Sequence, residues 1–199
     1  MKYRRIKRHI SPRIKALSDA QKIAFAPLTF QAVNTMLKFG ILKFIDENPS
    51  TINEIMEHCK TSKYTTETLL EVGCICNVVT KTDEKYRTSL VGSAFLQNEM
   101  TKVNFNFVND VCYLGAFELA NSFEKAEPVG LQKFVGDYKT IYNALHRLPE
   151  KIKKSWFEFD HFYSDKCFEE VLKIICANSP AEIFDIGGNT GKFECACLN

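Results

Sequence analysis

Along the first hundred positions apolar residues recur at helical spacing, cut by short polar punctuation. Ser11-Pro12 opens the first segment, with Ser as N-cap and Pro in the first turn. Ile14, Leu17, Ile23 and Ala24 give that segment one apolar face. Pro27 is predicted to interrupt it. A second helix follows over about 28–39, turning Val33, Met36 and Leu37 inward and stopping at Gly40. The apolar run 41–45 continues as a short helix ended near Asn48-Pro49. Thr51-Ile52-Asn53-Glu54 has the form of a capping box and opens a helix to about Cys59. Thr61-Ser62 caps another, which runs through Leu69, Leu70 and Val72 to Cys76. The period then changes: Val78-Val79-Thr80 and Tyr86-Arg87-Thr88 flank a polar turn over 81–85, the pattern of a hairpin. Two short helices, a hairpin and a closing helix over 89–96 predict a winged helix.

The second half reads as helices until its end. A long helix is predicted over 101–125, with Phe105, Val108, Val111, Leu114, Phe117 and Leu119 among its apolar positions. Pro128 and Gly130 mark a loop, and 137–145 is helical again. Pro149 opens a helix over 150–163 that holds Trp156, Phe157, Phe159, Phe162 and Tyr163. Asp165 starts a further one, with Phe168, Val171, Leu172 and Ile175 inward, up to Pro180. His161 stands beside Asp160, but adjacent residues on a helix point apart, so an exposed or capped His is expected. The run 183–186 is short, β-branched and aromatic, and predicts a buried parallel strand. It breaks into a glycine-rich turn, and a new helix begins at Gly191. Strand, glycine turn and helix open an α/β sheet, in which ligands bind at the carboxyl ends of the strands.

The spacing of that turn separates the ligand classes that use such turns. The dinucleotide fingerprint needs glycines at first, third and sixth positions; here these are Gly187, Asn189 and Lys192. A phosphate loop needs Gly-Lys-Ser/Thr after an earlier Gly; here Phe193 follows Gly191-Lys192, and the earlier position is Ile186. What remains is acid-x-Gly-x-x-x-Gly, carried by Asp185, Gly187 and Gly191. This pattern resembles the nucleotide-binding motif of class I methyltransferases that use S-adenosylmethionine (SAM). The usual family form has a glycine where this chain has Asn189, and Asn tolerates a left-handed backbone better than most residues. The resemblance implies that SAM lies against a bare backbone and that the Asp185 carboxylate meets the methionine ammonium. It implies a cofactor site of Asp185, Gly187, Gly188, Asn189 and Gly191. Tyr163 and Phe159 are aromatic candidates for the sulfonium or adenine, beside the plainer reading of an aromatic core face.

Phe39-Gly40-Ile41-Leu42, the helix pair, and Lys85-Tyr86-Arg87-Thr88-Ser89-Leu90-Val91-Gly92 resemble the N-terminal dimerisation domain of small-molecule O-methyltransferases. That family sets a winged helix before a SAM-binding domain, in the order found here. The fold class expected is therefore mainly α with a winged-helix hairpin, followed by the truncated start of a Rossmann-like α/β methyltransferase domain. Its parts are a dimerisation domain over 1–100, a helical bridge over 101–180, and the first strand, glycine loop and helix start over 181–199. The strand at 183–186 has no parallel partner in the sequence, and a lone buried strand needs neighbours. The acid that would hold the ribose and the downstream His base of the resembled family are not in the sequence either. The chain is thus expected to be the front portion of a longer enzyme, holding no catalytic residue of its own.

Composition narrows the picture further. The chain is 199 residues long and 45% hydrophobic, enough for a substantial core. No apolar run reaches membrane-spanning length, and the basic N-terminus lacks the apolar stretch of a secretory signal. Eight scattered cysteines show no metal spacing and read as buried, reduced thiols of a cytoplasmic protein. Net charge is +2, with Lys2, Arg4, Arg5, Lys7, Arg8, Arg13 and Lys15 ahead of the first acid, Asp19; a solvated terminus is expected. The predicted reading helix offers Lys63, Thr66, Glu67 and Glu71, a poor footprint for phosphates, which argues against nucleic acid. The expected partners are a second copy, through the N-terminal helices, and a small-molecule acceptor. Two other readings stand beside this one: a winged-helix DNA-binding regulator, and a noncatalytic methyltransferase-like scaffold, supported by Asn189.

Overall fold

A computed structural model describes residues 11–198. The basic arm from Lys2 to Arg8 lies outside these residues. The chain divides after Asn98 into two units.

The first unit opens with α1, Pro12–Lys38, whose first turn is capped by the Ser11 hydroxyl, which accepts from the Ile14 N–H. Pro27 does not interrupt it: the helix runs through the proline. A proline inside a helix removes one backbone donor, and the turns on either side hold, the later one anchored by buried Val33 and Met36. Gly40, at φ +75°, stops α1 and starts α2, Ile41–Glu47. The capping box forms as predicted at α3, Ile52–Cys59: Thr51 N–H donates to the Glu54 carboxylate at 2.7 Å, and Thr51 Oγ1 accepts from Glu54 N–H. Ser62 caps α4, Lys63–Ile75. β1, Val79–Thr82, pairs antiparallel with β2, Lys85–Thr88, in register Val79 to Thr88 and Thr82 to Lys85. The turn is tighter than predicted, two residues long, and Asp83 supplies its left-handed position at φ +54°. α5, Leu90–Gln97, closes the unit under a Ser89 cap.

Met36, Ile41, Leu42, Ile45, Ile55, Leu70 and Val79 are fully buried and form the core of this unit. α4 approaches β1 closely because position 73 is glycine: a Cβ there would stand 2.7 Å from Val79 Cγ2. Asp46 of α2 ties the hairpin and α5 together. It accepts from the Thr88 hydroxyl, from Ser93 Oγ at 2.7 Å and from Gln97 Nε2 at 3.1 Å. Thr66 is fully buried and bonded to Thr61 and the Ser62 carbonyl, so it is no exposed reader residue. The early apolar face of α1, with Ile14, Leu17, Ile23 and Leu28, is exposed.

The second unit departs from the sequence expectation at its start. In place of one helix over 101–125 there is α6, Glu99–Phe107, a π-turn over Val108–Cys112, a 3-10 turn over Gly115–Glu118, and α7, Leu119–Lys125. The reason is a close backbone approach. Gly115 lies against Gly130, where a Cβ would stand 2.9 Å from Gly115 Cα. Gly130 therefore sits inside α8, Val129–Val135, and does not mark a loop. The helix expected over 137–145 shrinks to α9, Ile141–Ala144, capped by Thr140 and followed by a 3-10 turn. α10, Glu150–Ser164, has nearly its predicted span. Asp165–Cys167 links it to α11, Phe168–Cys176, and α12 is Lys192–Cys197.

Residues 183–186 are not a strand, and Phe184 and Ile186 are 83% and 97% exposed. The only sheet among the described residues is the hairpin, so nothing pairs with this segment and it cannot be the buried strand its composition predicts. The cysteines are also less buried than expected: all eight are free, with Cys59, Cys76, Cys112 and Cys197 half-buried and Cys74, Cys167, Cys176 and Cys195 exposed. No helix among the described residues is long and apolar enough to cross a membrane.

Candidate functional site

The glycine turn is built from alternating left-handed residues. Gly187, Asn189 and Gly191 have φ of +88°, +51° and +74°. Only glycine takes such angles freely, and Asn is among the side chains that tolerate them best. The Gly191 N–H donates to the Gly188 carbonyl at 2.8 Å, closing the turn. A Cβ on Gly188 would collide with the Glu194 carboxylate and stand 3.1 Å from Asp185 Oδ2, so the acid and the bare backbone share one small space.

This turn forms one wall of a cleft of about 400 Å³, lined by Asp185, Gly187, Gly188 and Asn189 and, from the other side, by Asp160, His161 and Ser164. Asp185 is exposed to solvent yet faces the cleft. Gly191 shapes the turn without lining the cleft. Tyr163 and Phe159 lie elsewhere: with Asp160 and Ser164 they line a neighbouring cleft of about 430 Å³. The Tyr163 hydroxyl donates to Asn104 Oδ1 at 2.8 Å, and Phe159 stacks on Phe107 with ring centroids 4.0 Å apart.

Sequence reasoning missed the part played by α10. His161 is half-buried and capped: its Nδ1 is 3.0 Å from Asp165 Oδ1, and its Nε2 is 3.1 Å from Thr190 Oγ1. Asp160 accepts from the Asn189 amide, and Lys192 Nζ reaches Asp165 Oδ2 at 2.8 Å. Adjacent residues 160 and 161 thus both engage the turn, because it lies across the helix. Burial acts to raise the Asp165 pKa, but hydrogen bonds from Lys192, His161 and Ser164 outweigh it and hold the carboxyl below its usual value. The available signal was the i,i+4 pair His161 and Asp165 on an otherwise aromatic helix.

A larger groove of about 860 Å³ adjoins His161 between α6 and α10. Asp110 lies on its wall, accepting from Lys151 Nζ at 2.5 Å, Ser155 Oγ at 2.7 Å and Asn109 Nδ2 at 2.6 Å. Burial pushes its pKa upward, and these donors bring it down to a net depression.

Residues 18–86 match the Dimerisation2-like domain. L-tyrosine C(3)-methyltransferase of Streptomyces lavendulae is 21% identical over an alignment of 184 residues that covers 89% of this chain and 50% of that protein. The first unit thus carries a Dimerisation2-like domain, and the chain is similar in sequence and fold to SAM-dependent methyltransferases. Among solved structures, the S-adenosylmethionine-dependent methyltransferase SibL superimposes with a TM-score of 0.67 at 19% identity, over 92% of this chain and 54% of SibL. Human N-acetylserotonin methyltransferase, in complex with SAM, gives 0.64 at 15% identity, over 95% of this chain and 57% of the human protein. The mitomycin 7-O-methyltransferase MmcR gives 0.65 at 16% identity, over 94% and 55%. The chain spans about half the length of these relatives.

Proposed function

We propose that this chain belongs to an enzyme that transfers a methyl group from SAM to an oxygen of a small molecule. The observation that carries the reading is the turn from Asp185 to Gly191, which has three left-handed residues and sets Asp185, Gly187, Gly188 and Asn189 on one cleft. The residues present fit SAM. The cleft is within the size range of small-molecule sites, the Gly188 backbone is bare, and Asp185 offers an acceptor for an ammonium group. When bound, SAM supplies an electrophilic methyl on sulfur. The protein's part is to hold the acceptor oxygen in line with it, since positioning provides most of the rate, and to have a base take the hydroxyl proton. Gly187, Gly188 and Asn189 hold the methionine end and Gly191 shapes the turn behind them, while Phe159 and Tyr163 line the neighbouring cleft. None of the residues present is assigned the base.

In the same reading, residues 1–100 are a winged-helix dimerisation domain whose hairpin serves for packing, 101–180 a helical bridge, and 181–199 the opening of the SAM-binding domain. The exposed apolar face of α1 supports pairing with a second copy. A clean monomer by size exclusion with light scattering contradicts that part. A further support against DNA reading is that Lys63 on α4 has the acid Glu67 3.8 Å away, a poor footprint for phosphates.

The cofactor reading is tested by NMR titration of residues 1–199 with SAM. Shifts are expected at the amides of Gly187, Gly188 and Gly191 as SAM is raised to millimolar concentration. Asp185→Ala removes the shifts. An unmoved turn at millimolar SAM sinks the reading.

A further inference from the structure

We propose that Asp160, His161 and Asp165 are positioning residues that clamp the glycine turn into its ligand-receiving shape. Three side chains at the end of α10 grip three residues of the turn and its exit: Asp160 takes Asn189, His161 takes Thr190, and Asp165 takes Lys192. This proposal rests on the reading of the turn as the SAM site, but its geometry stands apart from that reading.

The physical need is entropic. A turn with glycines at 187, 188 and 191 is free to sample many backbone states, and a ligand that must order it loses affinity. The clamp acts on Asn189, itself left-handed, and on Thr190 and Lys192, which flank Gly191, so it restrains the turn without filling its glycine face. It also accounts for Asn189 in place of a glycine. The backbone holds φ +51°, and the side-chain amide is drawn onto Asp160.

His161 is the centre of the device. A carboxylate oxygen only accepts, so the Nδ1 facing Asp165 Oδ1 carries the hydrogen. In the neutral ring Nε2 is then an acceptor, and the Thr190 hydroxyl donates to it. Asp165 is fixed in turn by Lys192 Nζ at 2.8 Å and Ser164 Oγ at 3.1 Å. A chain of hydrogen bonds thus runs from the turn to α10 and back to the first residue of α12.

The test is a pair of substitutions in the 199-residue chain, read three ways. Thr190→Val keeps the shape of the side chain and removes its hydroxyl; Thr190→Ser restores it. Amide exchange at residues 187–191 is expected to quicken about tenfold in the Val variant and to return in the Ser variant, with the global unfolding midpoint unchanged. Nitrogen-15 spectra of the His161 ring are expected to show the Nδ1–H form when neutral, and to lose it in Asp165→Asn. By NMR titration the apparent dissociation constant for SAM is expected to rise about five- to tenfold in the Val variant and to recover in the Ser variant. Unchanged exchange in the Val variant, or an Nε2–H ring, overturns the clamp. If SAM perturbs nothing in the unsubstituted chain, the cofactor reading falls, while exchange and the ring spectrum still decide the clamp.

Discussion

The two units of this chain are held together by different means. Among the described residues, the buried hydrophobic side chains lie in the first unit, apart from Ala144 and Leu148. There, seven residues from Met36 to Val79 lose all contact with water and interlock four helices and a hairpin. In the second unit the buried groups include Glu118, Ser155 and the glycine at 130, while Phe117, Phe123 and Phe184 are 78% to 90% exposed. Carboxylates take over as fasteners: Asp110 gathers Lys151, Ser155 and Asn109, Glu118 gathers Lys133 and Asn121, and Asp165 gathers His161, Ser164 and Lys192. Apolar burial scales with area and is non-directional; polar fastening is directional and gives less net stability per bond. By that measure the first unit is the stable platform and the second the more adjustable one.

The largest expected effect that sharpens this contrast is in the first core. Leu70→Ala is expected to lower the unfolding free energy by about 2–5 kcal/mol, because the side chain is fully buried and its loss leaves a cavity in the core. Urea denaturation followed by a probe in each half checks it. An equal loss in both halves would show that the units do not unfold separately.

Next, Asp110→Ala is expected to cost about 1–3 kcal/mol in the second unit, since it strips the buried Ser155 hydroxyl of its partner. Replacing Ser155 by Ala in the same background is expected to recover part of the loss. Thermal melts of the single and double variants measure both.

A smaller effect concerns acid. The hydroxyls of Thr88 and Ser93 hold the Asp46 carboxyl below its usual value of 3.8, against the opposing pull of burial, with Gln97 and Arg87 adding to the depression. A group with a depressed folded pKa contributes stability above its unfolded pKa and loses it as pH falls through the folded value. The gap in stability between the unsubstituted chain and Asp46→Asn is thus expected to hold above the unfolded carboxyl value of about 4 and to narrow as pH falls below it, through the depressed folded value. Asp110 and Asp165 are depressed for the same kind of reason, so acid is expected to loosen the second unit first, which has less apolar burial to fall back on. Circular dichroism and amide exchange against pH check the order.

The smallest expected effect is local. Thr51→Ala removes one arm of the capping box and is expected to cost about 1 kcal/mol. Amide exchange confined to the first turn of α3 would show it.

What was legible in the sequence followed from interactions between near neighbours. Ser11, Thr51 and Ser62 cap because each hydroxyl finds an N–H within three residues, and Gly40 and Asp83 turn because of their own backbone angles. The same locality makes the glycine turn readable, as Gly187, Asn189 and Gly191 adopt the left-handed angles their residue types allow. Tertiary contact decided the rest. Pro27 stays within a helix, and Gly115 meets Gly130 where periodicity alone predicts one unbroken helix. The run 183–186 has strand composition but no neighbour to pair with, and hydrogen bonding between strands cannot be supplied from within one segment. Likewise His161 and Thr190 stand 29 positions apart. No rule of local spacing joins them, because only the path of the chain through space brings α10 beneath the turn.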